Sequence, residues 1–483
     1  FGFYILLGIQ IMQLNHFNAN KTNQFKNFHW APKGDKIKTK WGINLNVNNV
    51  WKAYPRPQLE RKDWINLNGP WLYSVTGKWS NKPKKADGII LIPFPLESSL
   101  SGVMRNISDE DIIWYEKDIE IPQNWSDKKI ILNFGGVDWK CIISIILEDI
   151  NFHPWSPSEP NIYTIKAKLF NEREQLIDSI ESYTTIRKIE QRKDENGYYR
   201  IYLNNNKIFN MGVLDQGYWP DGLYTPPSEE AMIYDINKLK ELGFNTIRKH
   251  VKIEPYRYYY YCDKIGMLIW QDMPSGDQGL NIRKQYKFDR GTDRSRSEES
   301  IDTYYKEWGE IIENLKFFQC IIIWIPFNEA WGQFDTEKVA NFTIEKDSTR
   351  LLNVASGGNH RKGGNIFDLH HYPEPSQSFY YEDEINVIGE YGGLGLEIYN
   401  HTWKKDNWGY VKLNSKEEIT QKYEEFIEQL ISLSKNGTSG AIYTQTTDVE
   451  VEINGLITYD REEMKIYEDR IKAANYKIIE SFK

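Results

Sequence analysis

The chain has 483 residues, of which 40% are hydrophobic and 14% aromatic, with 60 Lys and Arg against 68 Asp and Glu for a formal charge of −8. That apolar content excludes a disordered chain and leaves room for about three domains. The acidic balance, with no long basic run, excludes nucleic acid as a partner. Three widely spaced cysteines, Cys141, Cys262 and Cys320, make neither a disulfide framework nor a metal-ligand pattern.

Residues 1–14 are apolar and uncharged, and too short to span a bilayer. They read as the remnant of a signal-peptide apolar core, so the expectation is a secreted or periplasmic protein that does not enter the membrane. Residues 15–50 are polar and aperiodic, which makes residues 1–50 a lead-in. Residues 64–75 alternate apolar and polar around Gly69-Pro70, as paired strands do. Residues 89–93, 114–121 and 129–134 read as further strands, giving an all-β sandwich over 51–150. The apolar run 141–147 leads straight into a Pro-rich stretch at 154–160, and residues 162–170 and 182–187 form a second short β piece within 151–195. Neither piece has enough strands to close its own sandwich.

From residue 207 the pattern becomes strand, loop, helix, repeated. Strands are expected at 207–214, 245–249, 267–271, 320–325, 351–355, 365–369, 385–389 and 440–443. Helices are expected at 228–242, 254–264, 298–318, 335–347, 416–434 and 462–479. Eight strands with mostly intervening helices predict a (β/α)₈ barrel over 196–483. The fold class is therefore multidomain, β sandwich pieces followed by α/β.

Barrels keep their active sites at the carboxyl ends of the strands. The fourth strand, an isoleucine-rich run, ends in Asn328-Glu329-Ala330-Trp331, and the seventh ends in Glu390-Tyr391-Gly392-Gly393. Strands four and seven lie nearly opposite in an eight-strand ring, so the carboxylates face one another. Such a pair suits cleavage of a glycosidic bond. A lone strand-end Glu is more often structural; two beside aromatic and Gly-rich loops favour catalysis. Arg248-Lys249-His250, Trp270-Gln271-Asp272, His370-His371-Tyr372 and Tyr443-Thr444-Gln445 close four other strands and line the same mouth. The 17 Trp and 31 Tyr fit either core packing or stacking on sugar faces. The His370-His371 pair lacks nearby ligand spacing, so no metal and no cofactor is expected.

These motifs resemble those of glycoside hydrolase family 2, the β-galactosidase, β-glucuronidase and β-mannosidase family. Asn328-Glu329 is similar to its acid/base motif and Glu390-Tyr391-Gly392-Gly393 to its nucleophile motif. Leu96-Glu97-Ser98-Ser99-Leu100-Ser101-Gly102 and Phe134-Gly135-Gly136-Val137-Asp138-Trp139 resemble its jelly roll. The resemblance spans about residues 51–470. It implies a jelly roll, an immunoglobulin-like sandwich and a TIM barrel, acting with retention through a covalent glycosyl-enzyme. It makes Glu390 the nucleophile and Glu329 the acid/base. It places Asn328, Tyr372, His250 and Trp270 around the substrate, to which the reading of the strand ends adds Asp272, His371, Trp331 and Tyr443, and it leaves room for a homo-oligomer. The chain departs from the family near residues 140–160, where most of a β domain is missing, as in an internal deletion. It also lacks the Asn-x-Lys pair of the β-glucuronidases after strand eight, where Glu450 and Glu452 stand instead. A neutral hexose, galactose first, is the expected sugar. The competing reading is a non-catalytic carbohydrate-binding or folding-defective remnant of such an enzyme.

Overall fold

A computed structural model describes residues 29–61, 63–77, 83–108, 110–117, 153–170, 176–276 and 293–482, with Phe25 and Ser80 besides. The expected strand at 129–134, the motif at 134–139, the run 141–147 and the site of the expected deletion before residue 153 lie outside the described residues. Two compact units are present. One comprises residues 1–33, 46–50 and 65–153, and the other 34–45, 51–64 and 154–483.

In the first unit β1 (Gly69–Gly77) lies between β2 (Gly88–Ile92) and β3 (Asp111–Glu116), both antiparallel to it. Gly69-Pro70 therefore opens a strand rather than turning between two. Pairing with β3 begins only at Leu72, so the N–H that proline lacks is not needed for that ladder. The stretch 96–102 folds into a tight turn. The Ser98 hydroxyl accepts from Ser101 N–H at 3.2 Å, and Ser101 Oγ donates back to the Leu96 and Ser98 carbonyls.

The second unit is the barrel with its attachments. Part of the expected lead-in belongs to it. The short helix α1 (Lys40–Ile43) is capped by Thr39, whose N–H and hydroxyl both donate to buried Asp221 at 2.9 and 2.8 Å. Residues 154–187 also join this unit. β4 (Tyr163–Phe170) and β5 (Leu176–Thr184) form an antiparallel hairpin. Trp155, fully buried, donates its indole N–H to the Asp263 carbonyl at 2.6 Å. Tyr183 donates to the Asp263 carboxylate at 2.9 Å. A small antiparallel sheet of β6 (Ile189–Lys193), β7 (Tyr199–Leu203) and β8 (Asn206–Lys207) follows.

The barrel strands are β9 (Asn210–Asp215), β10 (Thr246–Lys249), β11 (Leu268–Asp272), β12 (Ile321–Ile325), β13 (Leu351–Leu352), β14 (Ile366–His370), β15 (Ile385–Gly392) and, after the short pair β16 (Leu394–Gly395) and β17 (Val411–Lys412), β18 (Thr438–Thr444). They run parallel in the order β13-β12-β11-β10-β9-β18-β15-β14. The seam between β13 and β14 is drawn together by Asn365, whose N–H donates to the Leu352 carbonyl at 2.8 Å. The result is a nearly closed TIM-type barrel. Every residue of β12 is buried, as expected for a strand covered on both faces.

Helices α2 (Glu229–Glu241), α3 (Tyr256–Ile265), α4 (Glu298–Leu315), α5 (Thr336–Lys346), α6 (Lys416–Lys435) and α7 (Glu468–Ser481) complete it. Ser228, Ser297 and Ser415 cap three of them through their side chains, each with two glutamates in the first turn. Their faces bury Ile236 and Leu239, Trp308 and Ile312, and Phe426 and Leu430. Among the described residues no helix is long and apolar enough to cross a membrane.

Docking of residues 154–187 through Trp155 carries a measurable cost. Trp155→Ala should lower unfolding stability by about 3–5 kcal/mol, the usual range for a buried Trp. Denaturant unfolding of the full chain measures it; a loss below about 1 kcal/mol would mean that this segment does not hold to the barrel.

Candidate active site

The chain must turn sharply where β12 ends. Glu329 and Ala330 both adopt left-handed backbone, with φ of 50° and 62°, a conformation non-glycine residues rarely accept. Two bonds hold the turn: Glu329 N–H donates to the Ser356 carbonyl at 2.8 Å, and Trp331 N–H to the Asn328 carbonyl at 2.9 Å. The Glu329 carboxylate is thereby aimed into the barrel mouth. Glu390 arrives directly from β15 and is almost wholly buried. One oxygen of each carboxylate and a ring nitrogen of His370 all lie within 4.8 Å of one another.

Glu390 is held from two sides. Tyr372 donates its hydroxyl to Oε2 at 2.6 Å, and Arg248 Nη1 donates to Oε1 at 3.2 Å. Tyr372 is itself fixed by face-to-face stacking on Tyr410, with ring centroids 3.8 Å apart and planes 2° apart. Its hydroxyl also lies 2.8 Å from Thr444 Oγ1. Burial and the neighbouring Glu390 push the Tyr372 phenol well above its ordinary value, so it remains a donor.

Arg248 is fully buried and reaches most of the mouth. Its Nε and Nη2 grip Asp272 at 3.1 and 2.9 Å, and Nη2 also donates to Asn328 Oδ1 at 2.8 Å. The Asn328 amide then points its nitrogen at His250 Nε2, 3.1 Å away. Burial, and the adjacent Arg248, push His250 down to about 3. Its imidazole is therefore neutral and accepts that N–H.

His370 behaves differently. Its Nδ1 lies 3.4 Å from Glu329 Oε1 and 3.5 Å from Glu390 Oε1. Burial alone would lower its pKa, but the two carboxylates outweigh that and raise it. Its Nε2 sits 2.9 Å from Ser356 Oγ, which donates to Asp368 at 2.5 Å. Asp368 approaches β15 so closely that only glycine fits at position 389, where a Cβ would overlap its carboxylate. The spacing of Glu329, His370 and Glu390 would admit a cation. The Arg248 guanidinium already stands against Glu390, so a fixed positive charge occupies that role.

Other expected residues divide clearly. Glu329, Glu390, Asn328, His250, Asp272 and Tyr372 converge. Trp331 flanks Glu329 on the loop and is 51% exposed. His371 does not enter the site: it is exposed and faces the Glu374 carbonyl at 2.7 Å. Side chains alternate along β14, so His370, its last residue, shares the face of Asp368. Trp270 is fully buried, and its indole N–H donates to Asn210, the first residue of β9, far below the mouth. Tyr443 is fully buried too, packed edge-on against Tyr391 and Tyr423 on the outer face of the sheet. Its neighbour Thr444 contributes to the site instead. Arg248 lines the mouth as expected and proves central to it, whereas Ser356, Asp368 and Tyr410 are site members that the sequence does not reveal. A charged residue inside an apolar strand was the available signal for Arg248.

After strand eight, Glu452 is half-buried. It accepts from Asn454 Nδ2 at 2.9 Å and lies 3.5 Å from Gln216. Burial lifts its carboxyl above the ordinary range; Asn454 opposes that and the charge of Glu390 adds to it. Glu450 is exposed.

Known proteins match this barrel. The family model described as glycosyl hydrolases family 2, TIM barrel domain, matches residues 200–367, which include Glu329 and stop short of Glu390. A β-galactosidase of Psychromonas ingrahamii is 26% identical over 207 residues, 43% of this chain and 19% of that protein. A putative β-glucuronidase of Formosa agariphila is 27% identical over 205 residues, 42% of this chain and 18% of that protein. The match thus spans about a fifth of either relative. The structure of a β-D-glucuronidase for Dictyoglomus thermophilum aligns with a TM-score of 0.53 at 16% identity, covering 68% of this chain and 59% of that one; it shares the fold. Over residues 200–367 the barrel is thus similar to the TIM barrel domain of glycoside hydrolase family 2.

Proposed function

We propose that the chain is a retaining β-glycosidase in which Glu390 attacks the anomeric carbon and Glu329 protonates the leaving oxygen, then activates water. The observation that carries this is the approach of the two carboxylates to within 4.8 Å across the barrel mouth. Retaining enzymes need about 5–5.5 Å between the groups, too close for a water to attack directly. The Tyr372 hydroxyl and Arg248 orient the Glu390 carboxylate, so little reorganisation is needed during attack. Asn328, steered by Arg248 and His250, is placed to meet a sugar hydroxyl, and the exposed indole of Trp331 flanks the leaving-group side. The assembled pair and its fixed supports favour catalysis over the non-catalytic reading. The three-stranded sheet of the first unit fits one part of the proposed jelly roll, and secretion remains the proposed location.

For the sugar, we propose a neutral hexose, with galactose first. Glu452 supports this, because its electrostatic reach extends to Glu390. A uronic acid would bring a second carboxylate toward it, with no lysine in residues 450–456 to compensate. Aryl β-galactoside should be cleaved at least roughly tenfold faster than aryl β-glucuronide at low salt, the size of one like-charge repulsion near a surface. Glu452→Gln should narrow that gap. Faster cleavage of the glucuronide by the wild type would overturn the sugar assignment.

The roles of the two glutamates separate by leaving group. Glu329→Ala should slow alkyl glycosides by about 10²–10⁴-fold. It should still form the glycosyl-enzyme from a dinitrophenyl glycoside and then stall. Azide needs no base, so it should restore turnover and yield the β-glycosyl azide. Glu390→Ala lacks the attacking group and should be inactive on every substrate, giving at most the α-azide. An α-azide from Glu329→Ala would reverse the assignment; the anomeric configuration is read by proton NMR.

A further inference from the structure

His370 occupies an unusual place for an imidazole, between the two carboxylates proposed to do the chemistry. Its hydrogen-bond partners decide its protonation. The Ser356 hydroxyl has one hydrogen, and Asp368 Oδ2, 2.5 Å away, can only accept it when ionised. Ser356 Oγ must then accept from His370, so Nε2, at 2.9 Å, carries a proton. Arg248 Nη1 is farther from Nε2, at 3.3 Å, and has acceptors of its own in the Gly389 carbonyl and Glu390 Oε1, each at 3.2 Å. On the other edge of the ring, Nδ1 faces Glu329 Oε1 and Glu390 Oε1 at 3.4 and 3.5 Å. A lone pair on Nδ1 would point at two carboxylate oxygens. A proton there converts both contacts from repulsive to attractive.

The ring is also wedged in place. Gly357 lies against it with φ of 56°, and a Cβ at that position would overlap the imidazole. The side chain itself is 1% exposed, so water does not screen its charge. The charged and titratable groups facing it are Glu329 from the turn after β12, Glu390 from β15, Arg248 from β10, and Asp368 through Ser356. His250 approaches the same Glu390 oxygen, with Nε2 3.7 Å from Oε1, and Asp272 stands beyond Arg248.

We infer that His370 is a positioning residue that stays an imidazolium across the working pH range, holds the two carboxylates at their separation and shifts that range to lower pH. The inference rests on the glycosidase reading. A positive charge 3.4–3.5 Å from both carboxylates favours the ionised form of each. The nucleophile must be ionised and the acid protonated, so both limbs of the bell-shaped kcat/KM profile lie lower than they would without His370. The apparent values belong to the coupled cluster as a whole. Burial opposes a charged imidazole, yet the net direction for His370 is upward, in agreement with the geometry.

The test has one arm that needs no substrate. Ring ¹⁵N NMR of the full chain should show His370 doubly protonated at neutral pH and titrating above the ordinary histidine range. Glu329→Gln and Glu390→Gln should each lower that titration by about one unit or more. A neutral His370, or one that neither variant moves, overturns the inference whether or not the protein cleaves any glycoside. The second arm uses His370→Asn, which keeps a hydrogen-bonding group and removes the charge. With an alkyl glycoside both limbs should move up by about one unit. With a dinitrophenyl glycoside, which needs no acid, only the acid limb should move. A fall in rate with unmoved limbs would make His370 merely structural and overturn the inference. Should His370→Asn fail to fold, the NMR arm decides alone. Absence of activity in the wild type would count against the glycosidase reading, and the NMR arm would still report on the imidazolium.

Discussion

The active-site end of this barrel depends on one buried guanidinium. Arg248 sits in β10 with its side chain wholly removed from water, where an unpaired charge would cost several kcal/mol. Its neighbours provide the compensation: Asp272 from β11 bidentately, Asn328 after β12, and the carbonyl of Gly389 and the carboxylate of Glu390 from β15. Satisfying one cation thus ties together strands that are far apart in sequence. The same bonds fix the rotamers of both groups that flank the sugar in the proposed reading. A lysine could not do this, because its point charge lacks the fork that spans Asp272 and Asn328 together.

Around that centre the site divides into two histidines of opposite character. His250 is held neutral first by burial and then by the charge of Arg248, although its Nε2 lies 3.7 Å from Glu390 Oε1. His370, at the end of β14, meets two carboxylates at closer range. Identical side chains receive opposite protonation from their partners. The backbone takes part as well. The left-handed turn at Glu329 and Ala330 brings a carboxylate off the end of a buried strand and into the mouth, and the Ser356 carbonyl that holds this turn belongs to the residue whose hydroxyl holds His370. Turn, imidazole and carboxylate are therefore mechanically linked.

The attachments to the barrel follow the same logic of buried polar groups finding partners. Asp263, on α3, accepts from Tyr183 on the β4–β5 hairpin and from the Cys320 N–H just before β12, while its carbonyl takes the Trp155 indole. Residues that read as the remnant of a separate sandwich are thereby bound to the barrel base. Thr39 and Asp221 do the same for the segment that read as a loose lead-in. Aperiodic, polar sequence gave no hint of this. Its order comes from contacts with residues more than a hundred positions away.

By itself the sequence determined that eight parallel strands would alternate with helices, and that two of those strands would deliver a glutamate to one rim. Apolar runs bounded by turn residues carry that information locally, and a carboxylate cannot remain in the core. Alternation along β18 also contained the choice of Thr444 over Tyr443, since a strand turns successive side chains to opposite faces. Depth was not legible in the same way. Trp270 shares a face with Asp272, yet it ends below the mouth beside Asn210, because strand stagger sets the height of each layer and stagger is a property of the closed sheet. Nor could the sequence say that Tyr410, just before β17, would stack on Tyr372, or that Ser356 would join Asp368 to His370. Those contacts join segments that meet only when the barrel closes, and only the tertiary structure decided them.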